Sequence, residues 1–252
     1  MIPPVELLLR YRQSQAGANA HLPVSEVFGP TIQGEGPYAG RAVQFLRTGG
    51  CNLSCSWCDT PYTWDGSRFN LREEIVPYSG SDIISRLYPN IPLVVSGGEP
   101  LLHQDNLALR YVMEHAHNLN VDIHVETNGT IAPTPNTKRL VAAFAVSPKL
   151  EHAGEHRGRQ DPTPDPGWPE FARKNPNVFL KVVVRDRVDV GHVVRWADDR
   201  RWPRKQVWVM PLGTTTEELL AGWSEIATAA ADAKINASQR LHVLAWGDRK
   251  GT

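Results

Sequence analysis

The sequence predicts an α/β fold built on a parallel sheet. Short β-rich runs recur along the whole chain, and helical patterns lie between several of them. A length of 252 residues suits one such domain better than two small ones. Runs at 24–28 and 42–48 read as the first strands, the second leading straight into a group of cysteines. Later strands are expected at 93–96, 121–126, 144–147, 179–184, 207–210 and 241–244. Leu107, Ala108, Tyr111, Val112 and Ala116 form one helical stripe. Leu219, Leu220, Trp223, Ile226, Ala227 and Ala230 form another, behind a Thr-rich start at 214–216. Periodicity does not say whether the sheet closes into a barrel. Residues 1–20 read as an N-terminal extension to a core domain of 21–252. The stretch 151–176, rich in Pro, Gly, His and charge, breaks the alternation and reads as a long surface excursion.

Composition narrows the function. Lys+Arg and Asp+Glu both number 27, so the chain has no broad electrostatic pull on nucleic acid or on an anionic membrane. A small-molecule ligand is expected instead. No apolar stretch approaches the ~18 residues that span a bilayer. The start of the chain has only a short Leu7-Leu8-Leu9 run between charges, without the longer apolar region of a signal peptide, so a cytoplasmic protein is expected.

All three cysteines lie within Cys51-Asn-Leu-Ser-Cys55-Ser-Trp-Cys58. An odd, clustered set argues against a disulfide framework and for metal or redox chemistry. The spacing lets a short loop aim three thiolates, the soft ligands of iron–sulfur clusters, at one centre. Three ligands for four irons leave one iron open to a cofactor. A structural zinc site is the competing reading, and it needs a fourth ligand such as His21 or His103.

At these residues the chain resembles the radical S-adenosylmethionine superfamily, whose signature is Cys-x-x-x-Cys-x-x-Cys. Ser96-Gly97-Gly98-Glu99-Pro100, Glu126-Thr127-Asn128-Gly129 and Ser147-Pro148-Lys149 follow in order at strand ends. Glu26-Val-Phe-Gly-Pro-Thr-Ile-Gln-Gly-Glu-Gly36, Phe45-Leu-Arg47-Thr-Gly-Gly-Cys51, Trp57-Cys58-Asp59-Thr60 and the C-terminal Leu244-Ala-Trp-Gly-Asp-Arg-Lys-Gly-Thr252 are similar to the 7-carboxy-7-deazaguanine synthase family, from about residue 24 to the end.

The resemblance implies a partial (β/α) barrel and a [4Fe–4S] cluster on Cys51, Cys55 and Cys58. It implies S-adenosylmethionine held by Trp57, Cys58, Asp59, Gly98, Ser147, Pro148 and Lys149. The Gly97 and Gly98 carbonyls and the Glu99 carboxylate are suitable acceptors for the cofactor's amino group. The implied substrate is 6-carboxy-5,6,7,8-tetrahydropterin, contacted by Ile32, Gln33, Gly34, Ser96 and the terminal carboxylate of Thr252. Arg47 faces the substrate carboxylate, where a guanidinium can bind in two-point fashion. Thr60 falls at the family's Mg²⁺ position, and a lone hydroxyl needs oxygens from substrate and water to complete such a site. Met210 stands where Gln is expected before Pro211, and a thioether cannot donate a hydrogen bond. A homodimer and an electron donor such as flavodoxin or ferredoxin are implied as well. Two other readings stay open: an activating enzyme for a glycyl-radical protein, and a non-catalytic metal-binding module.

Overall fold

A computed structural model of the protein describes residues 4–156 and 161–252, with residues 4–11 described by their backbone alone. Helix α1 (Pro4–Asn19) leads into the long strand β1 (His21–Ile32), which turns back into β2 (Ala42–Thr48). A loop region ends in α2 (Leu71–Glu74), β3 (Val76–Ser79) and α3 (Gly80–Arg86). Strands and helices then alternate: β4 (Leu93–Gly97), α4 (Leu107–Asn118), β5 (Ile123–Thr127), α5 (Pro135–Leu140), β6 (Ala143–Val146), α6 (Trp168–Lys174), β7 (Val178–Val184) and α7 (Arg187–Asp199). The chain finishes with β8 (Val207–Pro211), α8 (Thr216–Ala221), α9 (Trp223–Asp232), β9 (Asn236–Ala237) and α10 (Leu241–Trp246).

The strands form one sheet in the order β3-β1-β2-β4-β5-β6-β7-β8-β9. The pairings of β1 with β2 and β3 are antiparallel, and every pairing from β2–β4 to β8–β9 is parallel. Its two ends, β3 and β9, are not hydrogen-bonded to each other, so this is an open, partial barrel.

The period-two alternation of strand side chains divides the sheet into a core face and a concave face. Leu46, Val95, Val125, Leu180, Val182 and Val184 enter the core against the helices. Their neighbours Arg47, Ser96, Glu126, Lys181 and Val183 line a cavity on the other side. One-residue offsets along apolar strands thereby place charge at the centre of the molecule.

Six of the predicted strands sit where expected, within a residue or two; β1 is longer at both ends than its predicted span, and β3 and β9 lie outside every predicted run. Residues 241–244 form no strand, since they open helix α10. A four-residue apolar run fits a buried strand or a helix turn equally, and here the Leu241 amide donates to Gly34 O at 2.9 Å, outside any ladder. The second helical stripe is divided at Gly222 into α8 and α9; Leu219, Ile226 and Ala230 are buried while Leu220 is exposed. The expected surface excursion is only partly superficial. It contains α6, whose Trp168 is buried in the core with its indole N–H donating to Gly129 O at 2.8 Å. Helices α4 and α7 start on side-chain caps from Asn106 and Asp186, which satisfy their first backbone amides.

Candidate active site

Strand ends and their following loops build a cavity of about 450 Å³ on the concave face. Parallel sheets collect ligands there because the loops after the strands converge at that edge. One wall is the cysteine loop, entered from β2 through Gly49 and Gly50. The Gly50 carbonyl accepts from the Glu99 amide at 2.9 Å, and the Gly98 amide donates to Thr48 O at 3.1 Å, so the Gly97-Gly98 turn lies directly against this loop. Gly97 has φ +142°, and a Cβ on Gly98 would run into Gly50 O and the Cys51 side chain. Glycine is required at both positions.

Cys51, Cys55 and Cys58 form no disulfide and all line this cavity. Leu53 and Ala153 pack against them. Burial pushes the Cys51 thiol up to about 12 and raises Cys55, so both are neutral until a metal displaces their protons. Among the described residues, no group of His, Cys, Asp and Glu side chains is drawn together tightly enough to hold a single ion. His103 Nε2 is engaged with Gly49 O at 2.8 Å, His21 is exposed at the start of β1, and neither lines the cavity. An all-thiolate set of three on one wall, backed by apolar side chains and facing glycine backbone, fits an iron–sulfur cluster with one open iron.

Next to the cysteines, Lys149 Nζ lies 5.5 Å from the centre of the Trp57 ring and donates to Ser147 Oγ at 3.0 Å. Of the residues expected to hold the cofactor, Trp57, Cys58, Asp59, Gly98, Ser147 and Lys149 line the main cavity. Pro148 opens instead onto a smaller cavity of about 160 Å³ beside it. Glu99 lies outside the cavity lining. It is fully buried, accepting from the Leu101 and Asn128 amides at 2.9 and 2.7 Å and from Thr127 Oγ1 at 2.8 Å. These bonds brace the β4–β5 loops, and a carboxylate that accepts three donors keeps further acceptor capacity.

The opposite wall is a network of charge built around buried Lys181 and Arg240, which no motif announced. Lys181 Nζ lies 2.7 Å from both Glu35 Oε2 and Glu126 Oε1. Arg240 Nε reaches Glu35 Oε1 at 2.8 Å, and its other arms bind Asp59 and, at 2.6 Å, Gly213 O. Gln33 Nε2 and Ser96 Oγ both donate to Glu126, at 3.3 and 3.0 Å. Arg47 Nε pairs with Glu26 Oε2 at 2.8 Å across the β1–β2 ladder, and Tyr62 OH donates to the same oxygen. Burial alone would raise the Glu35 carboxyl, but Lys181, Arg240 and His242 bring it well below the ordinary carboxylate value. Burial likewise opposes the charges of Lys181 and Arg47, yet their acidic neighbours raise both above their ordinary values. The network sets four acidic side chains (Glu26, Glu35, Asp59, Glu126) against three basic ones (Arg47, Lys181, Arg240).

Ile32, Gln33, Gly34, Arg47, Ser96, Thr60 and Thr252 all line the same cavity, as does Met210. The tail folds back over the mouth: Lys250 Nζ binds Glu74 at 2.6 Å and sits over the Tyr62 ring, bringing Thr252 to the cavity. Sequence reasoning missed Glu35, Lys181, Arg240 and His242 as site residues. Lys181 had a usable signal, a lone charge inside the apolar run Phe-Leu-Lys-Val-Val-Val. Arg240 had none.

Comparison with known proteins agrees with this geometry. A family model described as the radical SAM superfamily matches residues 45–149. The chain is 33% identical over 239 residues to a 7-carboxy-7-deazaguanine synthase of Pyrobaculum aerophilum, covering 93% of this chain and 99% of the relative. It is 31% identical to one of Bacillus subtilis, covering 91% and 98%. The crystal structure of QueE from Escherichia coli shares the fold, with a TM-score of 0.64 at 22% identity over 91% of this chain and 98% of that one. The chain belongs to the 7-carboxy-7-deazaguanine synthase family of radical S-adenosylmethionine enzymes.

Proposed function

We propose that the protein converts 6-carboxy-5,6,7,8-tetrahydropterin into 7-carboxy-7-deazaguanine with loss of ammonia, in deazapurine biosynthesis. The observation that carries this reading is the cavity itself, with three cysteine thiols on one wall and an ion network on the other. Cys51, Cys55 and Cys58 would hold the [4Fe–4S] cluster. Trp57, Asp59, Gly98, Ser147, Pro148 and Lys149 would hold S-adenosylmethionine, with Pro148 acting through its backbone. Held by these residues, the cluster and cofactor would supply the radical chemistry that the conversion needs.

The chain's own residues bind, orient and exclude water. Arg47 has its Nε fixed on Glu26, which leaves the end of its fork for the substrate carboxylate. Glu126 and Glu35 are acceptors held in place by Lys181, suited to the N–H groups of the pterin's amino-pyrimidinone edge. The surplus carboxylate of the network favours such a donor-rich edge. Gln33 and Ser96 orient Glu126, while the terminal carboxylate of Thr252 adds an acceptor from the tail. Met210, fully buried, contributes an apolar surface at the position where a donor was expected.

Thr60 Oγ1, 3.7 Å from Cys58 Sγ, would bind Mg²⁺ together with the substrate carboxylate and water, so Mg²⁺ affinity should depend on substrate. A cytoplasmic homodimer reduced by a flavodoxin or ferredoxin completes the reading. Among the described residues, no helix is long and apolar enough to cross a membrane. The test is anaerobic turnover of the pterin by reconstituted protein with cofactor, reductant and Mg²⁺, followed by product mass. Deazaguanine product lost in Cys55→Ala is the expected result. 5′-Deoxyadenosine without that product would overturn the substrate assignment, and zinc without iron would overturn the enzyme.

A further inference from the structure

We propose that residues 151–156 are a clasp that fixes the cysteine loop and decides which of its backbone amides remain free to face the cluster. This rests on the assignment of the cluster to Cys51, Cys55 and Cys58. The segment begins just after Ser147-Pro148-Lys149 and folds back over the loop through four contacts. Ser54 N donates to His156 Nδ1 at 3.0 Å, and Ser56 N donates to Ala153 O at 2.8 Å. Ala153, only 1% exposed, packs with Leu53 and Cys55. The His152 ring lies 5.5 Å from the Trp57 ring, and its side chain is 96% buried with Nε2 3.5 Å from Asp189 Oδ2. Asp189 is itself held by the Arg185 backbone amide, Nε and Nη2 at 2.9, 3.0 and 3.1 Å, so the clasp's His152 packs beside a fixed carboxylate at the start of α7. Gly154, at φ +82°, makes the turn that lets Ala153 O and His156 face the same loop.

The consequence follows from cluster chemistry. Amides lying between cysteine ligands are natural donors to a cluster's sulfurs, and each such bond stabilises the more negative, reduced cluster and raises its potential. The clasp takes two of these donors, one on each side of Cys55, away from the cluster. It also holds the loop's backbone before any metal arrives, so three short-range ligands need not be ordered from a disordered segment. His156 and Ala153 lie outside the cavity lining, so they are positioning residues that should keep the cluster retained and strongly reducing.

The test compares His156→Ala with His156→Asn, whose Oδ1 can stand where Nδ1 stood and accept from Ser54. In the cluster-free full chain, hydrogen exchange of a peptide covering residues 51–58 should speed up about fivefold in His156→Ala, as loss of one hydrogen bond implies. His156→Asn should stay near the parent. In reconstituted protein, a redox titration followed by electron paramagnetic resonance should show a more positive cluster potential in His156→Ala and a parent-like one in His156→Asn. Unchanged exchange in His156→Ala overturns the clasp. Faster exchange with an unmoved potential overturns its tuning of the cluster. Because the exchange measurement needs no cluster, a parent protein that binds no iron would defeat the cluster assignment separately.

Discussion

Replacing buried Lys181 by methionine removes the cation shared by Glu35 and Glu126 and leaves two half-buried carboxyl groups facing one another. Breaking a buried pair by deleting one partner costs about 3–5 kcal/mol, because the remaining charge is uncompensated. Here both carboxylates keep other partners: Arg240 on Glu35 at 2.8 Å, and Gln33 and Ser96 on Glu126 at 3.3 and 3.0 Å. The loss should therefore fall at the lower end, about 3 kcal/mol at pH 7.5. Its pH dependence has a defined sign. In the parent, the depressed Glu35 carboxyl contributes stability that is present above the unfolded value near 4.3 and disappears as pH falls through the folded one. In the variant the carboxylates lose that depression and one takes up a proton more readily, so its deficit is full at pH 7.5 and narrows towards pH 5. Urea unfolding of both proteins at the two pH values measures this. A deficit below about 1 kcal/mol at pH 7.5, or one that is the same at both pH values, would refute the view that Lys181 neutralises two ionised carboxylates.

Arg47→Lys keeps the charge but loses the fork, and should raise the KM for the pterin about tenfold or more while leaving S-adenosylmethionine affinity unchanged, measured by steady-state kinetics and cofactor titration. Gly98→Ala places a methyl against Gly50 O and the Cys51 side chain, where backbone cannot yield; iron content after reconstitution should fall well below the parent's, as read by metal analysis. A peptide tag after Thr252 should cut turnover strongly while an N-terminal tag leaves it intact, because the tail lines the cavity.

The sequence by itself determined the candidate metal ligands and a parallel α/β sheet, but not β3, β9 or the antiparallel pairings of β1. Three cysteines in eight residues carry their chemistry in their spacing, and glycine at 97 and 98 carries a backbone requirement that a local motif expresses. Alternating apolar runs fixed the parallel sheet for the same reason, since periodicity is a local property. The run at 241–244 failed because four apolar residues satisfy a strand and a helix turn alike, and only its attachment to Gly34 chose the helix. What the tertiary structure alone decided is the charge network. Glu35, Lys181 and Arg240 are 146 and 59 residues apart in sequence (181 − 35 and 240 − 181), yet one carboxylate holds both cations. Such pairings have no local signature, because burial and Coulomb attraction act through space after the sheet has curved. The same holds for the clasp. A Pro- and charge-rich stretch reads as surface until His156 and Ala153 are seen to take the two amides that flank Cys55.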